Sequence, residues 1–160
     1  QELYNFKDHI PETEEYGIVS FVYKARLPFD PVKIHDFFNQ AWPGVLRAKG
    51  FFWISTRPSF VGEVSQAGSF VRHQAMGHWW AAVPKTRWPE SAAFEEMIKK
   101  KWEKELGDRR QEIVFIGLKG EMDEEKIRQQ LDGCLIKDYL INPEKSRHIE
   151  DPFPEWYKES

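Results

Sequence analysis

Residues 16–38 read YGIVSFVYKARLPFDPVKIHDFF, and the fold class turns on them. From Tyr16 to Arg26 the stretch is rich in β-branched and aromatic residues, which predicts a strand with apolar groups on both faces. Pro28-Phe29-Asp30-Pro31 breaks it. Asp30 followed by Pro31 is a helix start, an N-cap residue and then proline at the first helical position. Ile34, Phe37, Phe38 and Ala41 fall on one face of that helix, which Trp42-Pro43-Gly44 ends.

The rest of the chain extends this strand–helix opening. Val45–Arg57 reads as a strand, and Gly50 inside it implies a bulge or a close backbone approach. Glu63–Gln74 and Gly77–Val83 read as two further strands, followed by a loop over Pro84–Trp88. Pro89 opens the longest predicted helix, to about Leu106, with Phe94, Met97, Ile98, Trp102 and Leu106 as its buried stripe. Gly107-Asp108 stops it. Glu112–Leu118 is a short apolar strand, and Asp123 caps a helix carrying Ile127, Leu131 and Leu135. The order is β-α-β-β-β-α-β-α. Runs of adjacent strands favour a mostly antiparallel sheet with helices packed on one side, an α+β domain. The expected division is an acidic lead-in over 1–15, a folded body over 16–137, and a polar, proline-bearing tail over 138–160.

At 160 residues, 41% hydrophobic and 31% charged, the chain has the composition of a globular domain large enough to need no staples. No apolar run approaches the roughly 20 residues that cross a bilayer, so no membrane partner is expected. Cys134 is the one cysteine, which excludes a disulfide framework and points to a reducing, cytoplasmic location. Its helical spacing with Leu131 and Leu135 predicts a buried, inert thiol. The formal net charge is -3, with the acids at the ends, leaving residues 17–120 at +6. A basic centre attracts anions or acidic proteins. Nucleic acid is a remote alternative, which the acidic ends oppose. Lys99, Lys100, Lys101 and Lys104 read as the wet face of one helix.

No P-loop, G-x-G-x-x-G or G-x-S-x-G pattern occurs, and no pair of carboxylates is placed for acid–base catalysis. Two features could carry chemistry. His73 and His78 would face one point if Met76-Gly77 forms a turn, making an autonomous zinc-binding module; the alternative is a pair of surface histidines. The polar runs Arg47-Ala48-Lys49-Gly50 and Gly107-Asp108-Arg109-Arg110-Gln111 are the second. Arg47 and Lys49 point the same way from a strand and could hold a carboxylate, or the whole set is a structural ion-pair network.

Several long motifs carry a resemblance. They are Glu14-Glu15-Tyr16-Gly17-Ile18, Pro28-Phe29-x-Pro31, Trp42-Pro43-Gly44-Val45-Leu46-Arg47-Ala48-Lys49-Gly50 with Trp53, and Gln66-Ala67-Gly68. Trp79-Trp80, Trp88, Gly107-Asp108-Arg109-Arg110-Gln111-Glu112-Ile113-Val114-Phe115-Ile116-Gly117, Leu131-Asp132-x-Cys134-Leu135 and Asp151-Pro152-Phe153-Pro154-x-Trp156 continue it. With these the chain resembles the carboxy-terminal domain of the CobW family, GTP-dependent metal-handling proteins. The resemblance implies an amino-terminal GTPase domain with a P-loop and a Cys-x-Cys-Cys metal motif. Neither is in this sequence, and a chain beginning at Gln1 reads as a piece of a longer protein. GTP and Mg would enter only through that other domain, residues 1–15 would be the linker leaving it, and this chain would not itself be an enzyme. The implied function is an accessory domain of a metallochaperone for zinc or cobalt, with its own GTPase domain and a client metalloprotein as partners. Arg47, Lys49, Trp53, Trp79, Trp80, Asp108, Arg109 and Gln111 lie in the matching motifs and are the candidate contact residues. Asp30 stands where the family often has histidine, which removes one imidazole from any metal set there.

Overall fold

The computed structural model describes residues 17–156. The expected linker, residues 1–15, lies outside them. Eight main elements follow in the predicted order: β1 (Ile18–Ala25), α1 (Pro31–Phe38), β2 (Val45–Phe52), β3 (Phe60–Ala67), β4 (Phe70–His78), α2 (Ala92–Lys101), β5 (Gln111–Leu118) and α3 (Glu124–Asp132). The strands form one antiparallel sheet in the order β1-β5-β2-β3-β4. The late strand β5 is inserted between β1 and β2, and its Ile113-Val114-Phe115 run is buried on both faces of the sheet.

The opening stretch folds as its residues dictate. Asp30 caps α1, its carboxylate accepting the Val32 and Lys33 amides at 2.9 and 3.2 Å. Pro31, Ile34, Phe37 and Phe38 of that helix are buried. They meet Phe21, Tyr23, Ala48, Phe52, Val64, Ile113 and Phe115 from the inner face of the sheet, together with Ile127 and Leu131 of α3. Gly50 is a close approach, not a bulge: a Cβ there would sit 2.1 Å from the Glu112 carbonyl oxygen and 2.5 Å from the Ile113 Cα.

The α+β architecture is as expected, with one refinement. α1 and α3 share the inner face, while α2 lies against the end of the other face, where Ile98 lines a groove with Phe51, Val61 and Trp79. Three local expectations change. Glu63–Gln74 is not one strand, because Gly68 (φ +62°) turns the chain between β3 and β4. Gly77–Val83 is not a strand either; β4 ends at His78 and Trp80–Ala82 is a 3-10 turn whose Trp80 and Ala81 amides donate to Asp108. The long helix stops at Lys101, with its three lysines where cations suit a helix C-terminus. Trp102 is extended and 36% exposed, Met97 is 45% exposed, and Leu106 belongs to a tight turn closed by reciprocal Glu103–Gly107 backbone bonds.

The tail packs. Phe153 and Trp156 enter the main core, and Arg57 holds them there. Its guanidinium pairs with Asp151 at 2.9 Å, donates to the Phe153 and Pro154 carbonyls, and lies over the Trp156 ring.

Candidate functional site

The candidate residues divide into a buried keystone, an outer-face pair and two separated histidines. Gln111, the first residue of β5, is fully buried. Its Oε1 accepts the Trp53 amide at 2.9 Å, and its Nε2 donates to the Leu27 and Trp53 carbonyls at 2.9 and 3.0 Å. Trp53 in turn donates its indole N–H to the Arg26 carbonyl. Asp108 accepts the Trp80 and Ala81 amides, both at 2.9 Å, fixing the turn after β4. Arg109 lies over the Trp53 ring and donates to the Pro58 and Leu106 carbonyls. Burial pulls its guanidinium below the ordinary arginine range, against the pull of Tyr139 and Asp108. Trp53, Trp79, Asp108, Arg109 and Gln111 thus tie four chain segments together by hydrogen bonds and ring contacts.

Arg47 and Lys49 do project from the same face of β2, opposite Ala67 and Ser65 of β3. Arg47 is four residues from Phe51, which borders the Asp108 region, or about 13 Å along a strand. The two polar runs therefore occupy different parts of the sheet.

His73 and His78 do not converge. Met76-Gly77 is a bulge within β4, where the register shifts opposite Val61 and Gly62, and no turn forms. His78 lies tilted against Phe60, with 4.8 Å between ring centroids. His73 sits among Phe38, Phe153 and His35. Burial, then the nearby His35, lowers the His73 pKa. Among the described residues, no three His, Cys, Asp or Glu side chains gather as a metal cluster. Cys134 is buried as expected, its thiol donates to the Gln130 carbonyl, and burial pushes its pKa up to about 11.

Sequence reasoning named Trp79, Trp80 and Asp108 as contact candidates, but not the groove they share between α2 and the outer end of the sheet. Phe51, Val61, Met76, Trp79, Trp80, Met97 and Ile98 line it, with Lys101, Asp108 and Arg110 at its edge, around a volume of about 370 Å³. Met76 is 53% exposed. The Trp79 indole N–H is buried there with no acceptor among the described residues. An exposed Met on α2 and another on β4 were the available signals, but their spacing in sequence says nothing of their meeting.

This arrangement, a five-stranded antiparallel sheet braced by the Trp53–Gln111 and Asp108–Trp80 ties, can be set beside known proteins. Residues 18–135 match the family described as the cobalamin synthesis protein cobW C-terminal domain, and the chain belongs to that family. A zinc-regulated GTPase metalloprotein activator 1 from Dictyostelium discoideum is 40% identical over 133 residues, 81% of this chain and 28% of that protein. A zinc chaperone from Mycobacterium tuberculosis is 28% identical over 148 residues, 89% of this chain and 35% of that protein. The crystal structure of Zn(II)-bound YjiA GTPase from E. coli shares the fold, with a TM-score of 0.50 and 18% identity over 79% of this chain and 32% of that one. The chain therefore spans about a third of each relative's length. No helix among the described residues is long and apolar enough to cross a membrane.

Proposed function

We propose that this chain is the accessory domain of a GTP-dependent zinc chaperone, docking on the GTPase part of the same polypeptide and helping to recognise the client metalloprotein. The observation that carries the reading is the open groove beside α2. It sets exposed Met76 and Met97 beside half-buried Phe51 and Val61, over buried Trp79 and Ile98, and an apolar cleft of this kind is where a partner's side chains can enter. The names of the Dictyostelium and Mycobacterium relatives support the zinc-chaperone setting, and their greater length supports a GTPase part outside this chain. We assign the groove to that part. The apolar lining favours a partner surface that presents apolar side chains. GTP and Mg chemistry belongs to the other part, and a reducing, cytoplasmic compartment suits the buried Cys134 thiol.

Coupling to the nucleotide requires the domain to bind the GTP and GDP states of the GTPase part unequally. The test is titration calorimetry of this chain against the separately produced GTPase part in each nucleotide state. Met97→Asp and Met76→Asp should each weaken binding by about tenfold or more. Unchanged affinity in both variants would remove the groove from the interface. GTP turnover by this chain alone, above a protein-free blank, would sink the division of labour.

A further inference from the structure

Alternation along the strands sends Arg47 and Lys49 of β2 and Arg72 of β4 to the face of the sheet opposite α1 and α3. The register sets them on two neighbouring rungs that cross all five strands, one from Ser20 to Phe70 through Arg47, the other from Val22 to Arg72 through Val114 and Lys49. Neither rung holds a carboxylate. The acids of the next rung, Glu63 and Glu112, are engaged by Gln74 and Arg110 respectively. Small residues, Ser65 and Ala67, floor a trough of about 460 Å³ between Arg47 on one wall and Phe70 and Arg72 on the other. Towards β1 and β5 the same rungs are apolar, with Val22 and Ile116 half-buried around buried Val114. α2 meets this face at the Phe51 and Val61 end, beyond both rungs.

We propose that this face is a docking surface for the chain's own leading segment, residues 1–16, with the segment's carboxylates set against Arg47, Lys49 and Arg72 and its apolar side chains against the β1–β5 strip. The charges are complementary: the segment carries five acids and one base, while residues 17–120 sum to +6. Leu3, Tyr4, Phe6 and Ile10 supply the apolar side chains. The segment joins the sheet at Gly17, whose φ of +81° bends the chain where it enters β1. The reach is sufficient. Arg47 lies two strands from β1 and Arg72 four, about 10 and 19 Å at about 4.8 Å per strand. An extended chain covers about 3.3 Å per residue, which brings Glu14 and Glu15 to Arg47, and Glu12 or Asp8 to Arg72. Covalent attachment presents the carboxylates at millimolar effective concentration, so surface pairs that are individually weak act together. In the longer polypeptide proposed above, the segment would lead the GTPase part to the side of the sheet that holds the groove. That consequence rests on the docking reading; the surface for residues 1–16 does not.

The test is zero-length cross-linking of the full 160-residue chain with a carbodiimide, which joins a carboxylate to an amine in contact with it, read by mass spectrometry of the digest. Lys49 reports on the proposed surface, and Lys33 of α1 and Lys126 of α3 report on the opposite side. Carboxylates of residues 1–16 should join Lys49 in preference to Lys33 and Lys126, within one chain, and about 0.5 M NaCl should reduce these links severalfold. Arg47→Glu/Arg72→Glu changes two exposed side chains and should reduce the Lys49 links by about fivefold or more, with the urea midpoint within about 0.5 M of the parent. Links spread evenly over Lys33, Lys49 and Lys126, or undiminished by salt, would overturn the assignment. Links between two chains, in a mixture of 15N-labelled and unlabelled protein, would also overturn it and give the face to a second copy. Binding of an oligonucleotide by the parent chain that is lost in the double variant would give it to a nucleic-acid backbone instead.

Discussion

Replacing Gln111 by leucine tests whether the Trp53–Gln111 tie holds the domain together. The change keeps the side-chain volume roughly constant and removes three hydrogen bonds at a fully buried position. At about 1 kcal/mol net per bond, their loss costs about 3 kcal/mol. The Trp53 carbonyl still receives the Phe29 amide at 3.1 Å, so that group is not stranded. The Trp53 N–H and the Leu27 carbonyl lose the Gln111 side chain, which brings the expected total to about 4 kcal/mol. That is a large share of the roughly 5–15 kcal/mol by which a domain is stable. With a urea m-value of about 2 kcal/mol/M, the midpoint followed by tryptophan fluorescence should fall by about 2 M. Gln111→Glu adds a second reading. A carboxylate can accept the Trp53 N–H but faces two carbonyl oxygens, which raises its folded-state pKa. A raised carboxyl pKa contributes stability below the unfolded value, about 4.3, and loses it as pH rises through the folded value. The deficit against the parent chain, measured at each pH, should therefore widen from pH 4 towards pH 7. A leucine variant destabilised by less than about 1 kcal/mol would refute the reasoning, as would a glutamate variant whose deficit does not change with pH.

Gly50→Ala pushes a methyl into the backbone of β5, 2.1 Å from the Glu112 carbonyl oxygen, and should lower stability by more than about 3 kcal/mol, near 10 °C in a calorimetric melt. Arg57→Ala removes the Asp151 pair and the carbonyl bonds that seat Phe153 and Trp156; the expected loss is about 3 kcal/mol, with faster tryptic cleavage in the Lys145–Arg147 region than in the parent chain. The depressed His73 pKa means that the unfolded chain binds the extra proton first as pH falls below about 6.5, so stability should decline from pH 7 towards pH 5. His73→Phe should flatten that part of the urea-midpoint profile, and an unchanged slope would show that other groups set it.

What could be read from the residues was local. The Asp30-Pro31 cap, the apolar face of α1 and the Glu112–Leu118 strand, one residue short of β5, each declare themselves within a dozen residues, because capping, helical periodicity and β-branched runs act over that range. Gly50 was legible as a close approach, though not as an approach to β5, which lies some sixty residues on. Errors arose where a short signal competed with a longer one. The Gly68 turn was hidden inside a run that alternates acceptably as a single strand, and Met76-Gly77 resembles a turn but is absorbed as a bulge once β3 lies alongside. The candidate site suffers most from this. His73 meets His35 only because α1 folds onto the inner face near the β4 edge, a contact between residues 38 apart on different elements. Arg57 reads locally as the end of a strand, yet its main partner, Asp151, is 94 residues away. Motif-bearing residues such as Asp108 and Gln111 carry a signal that is easy to find and easy to misassign. Buried amides and carboxylates that each satisfy several backbone groups are as constrained as a catalytic residue, so a long polar motif alone does not separate a keystone from a contact site. The groove lined by Met76 and Met97 combines such motif residues, Trp79, Trp80 and Asp108, with methionines that no local pattern singles out, and only the packing of α2 across the sheet brings them together.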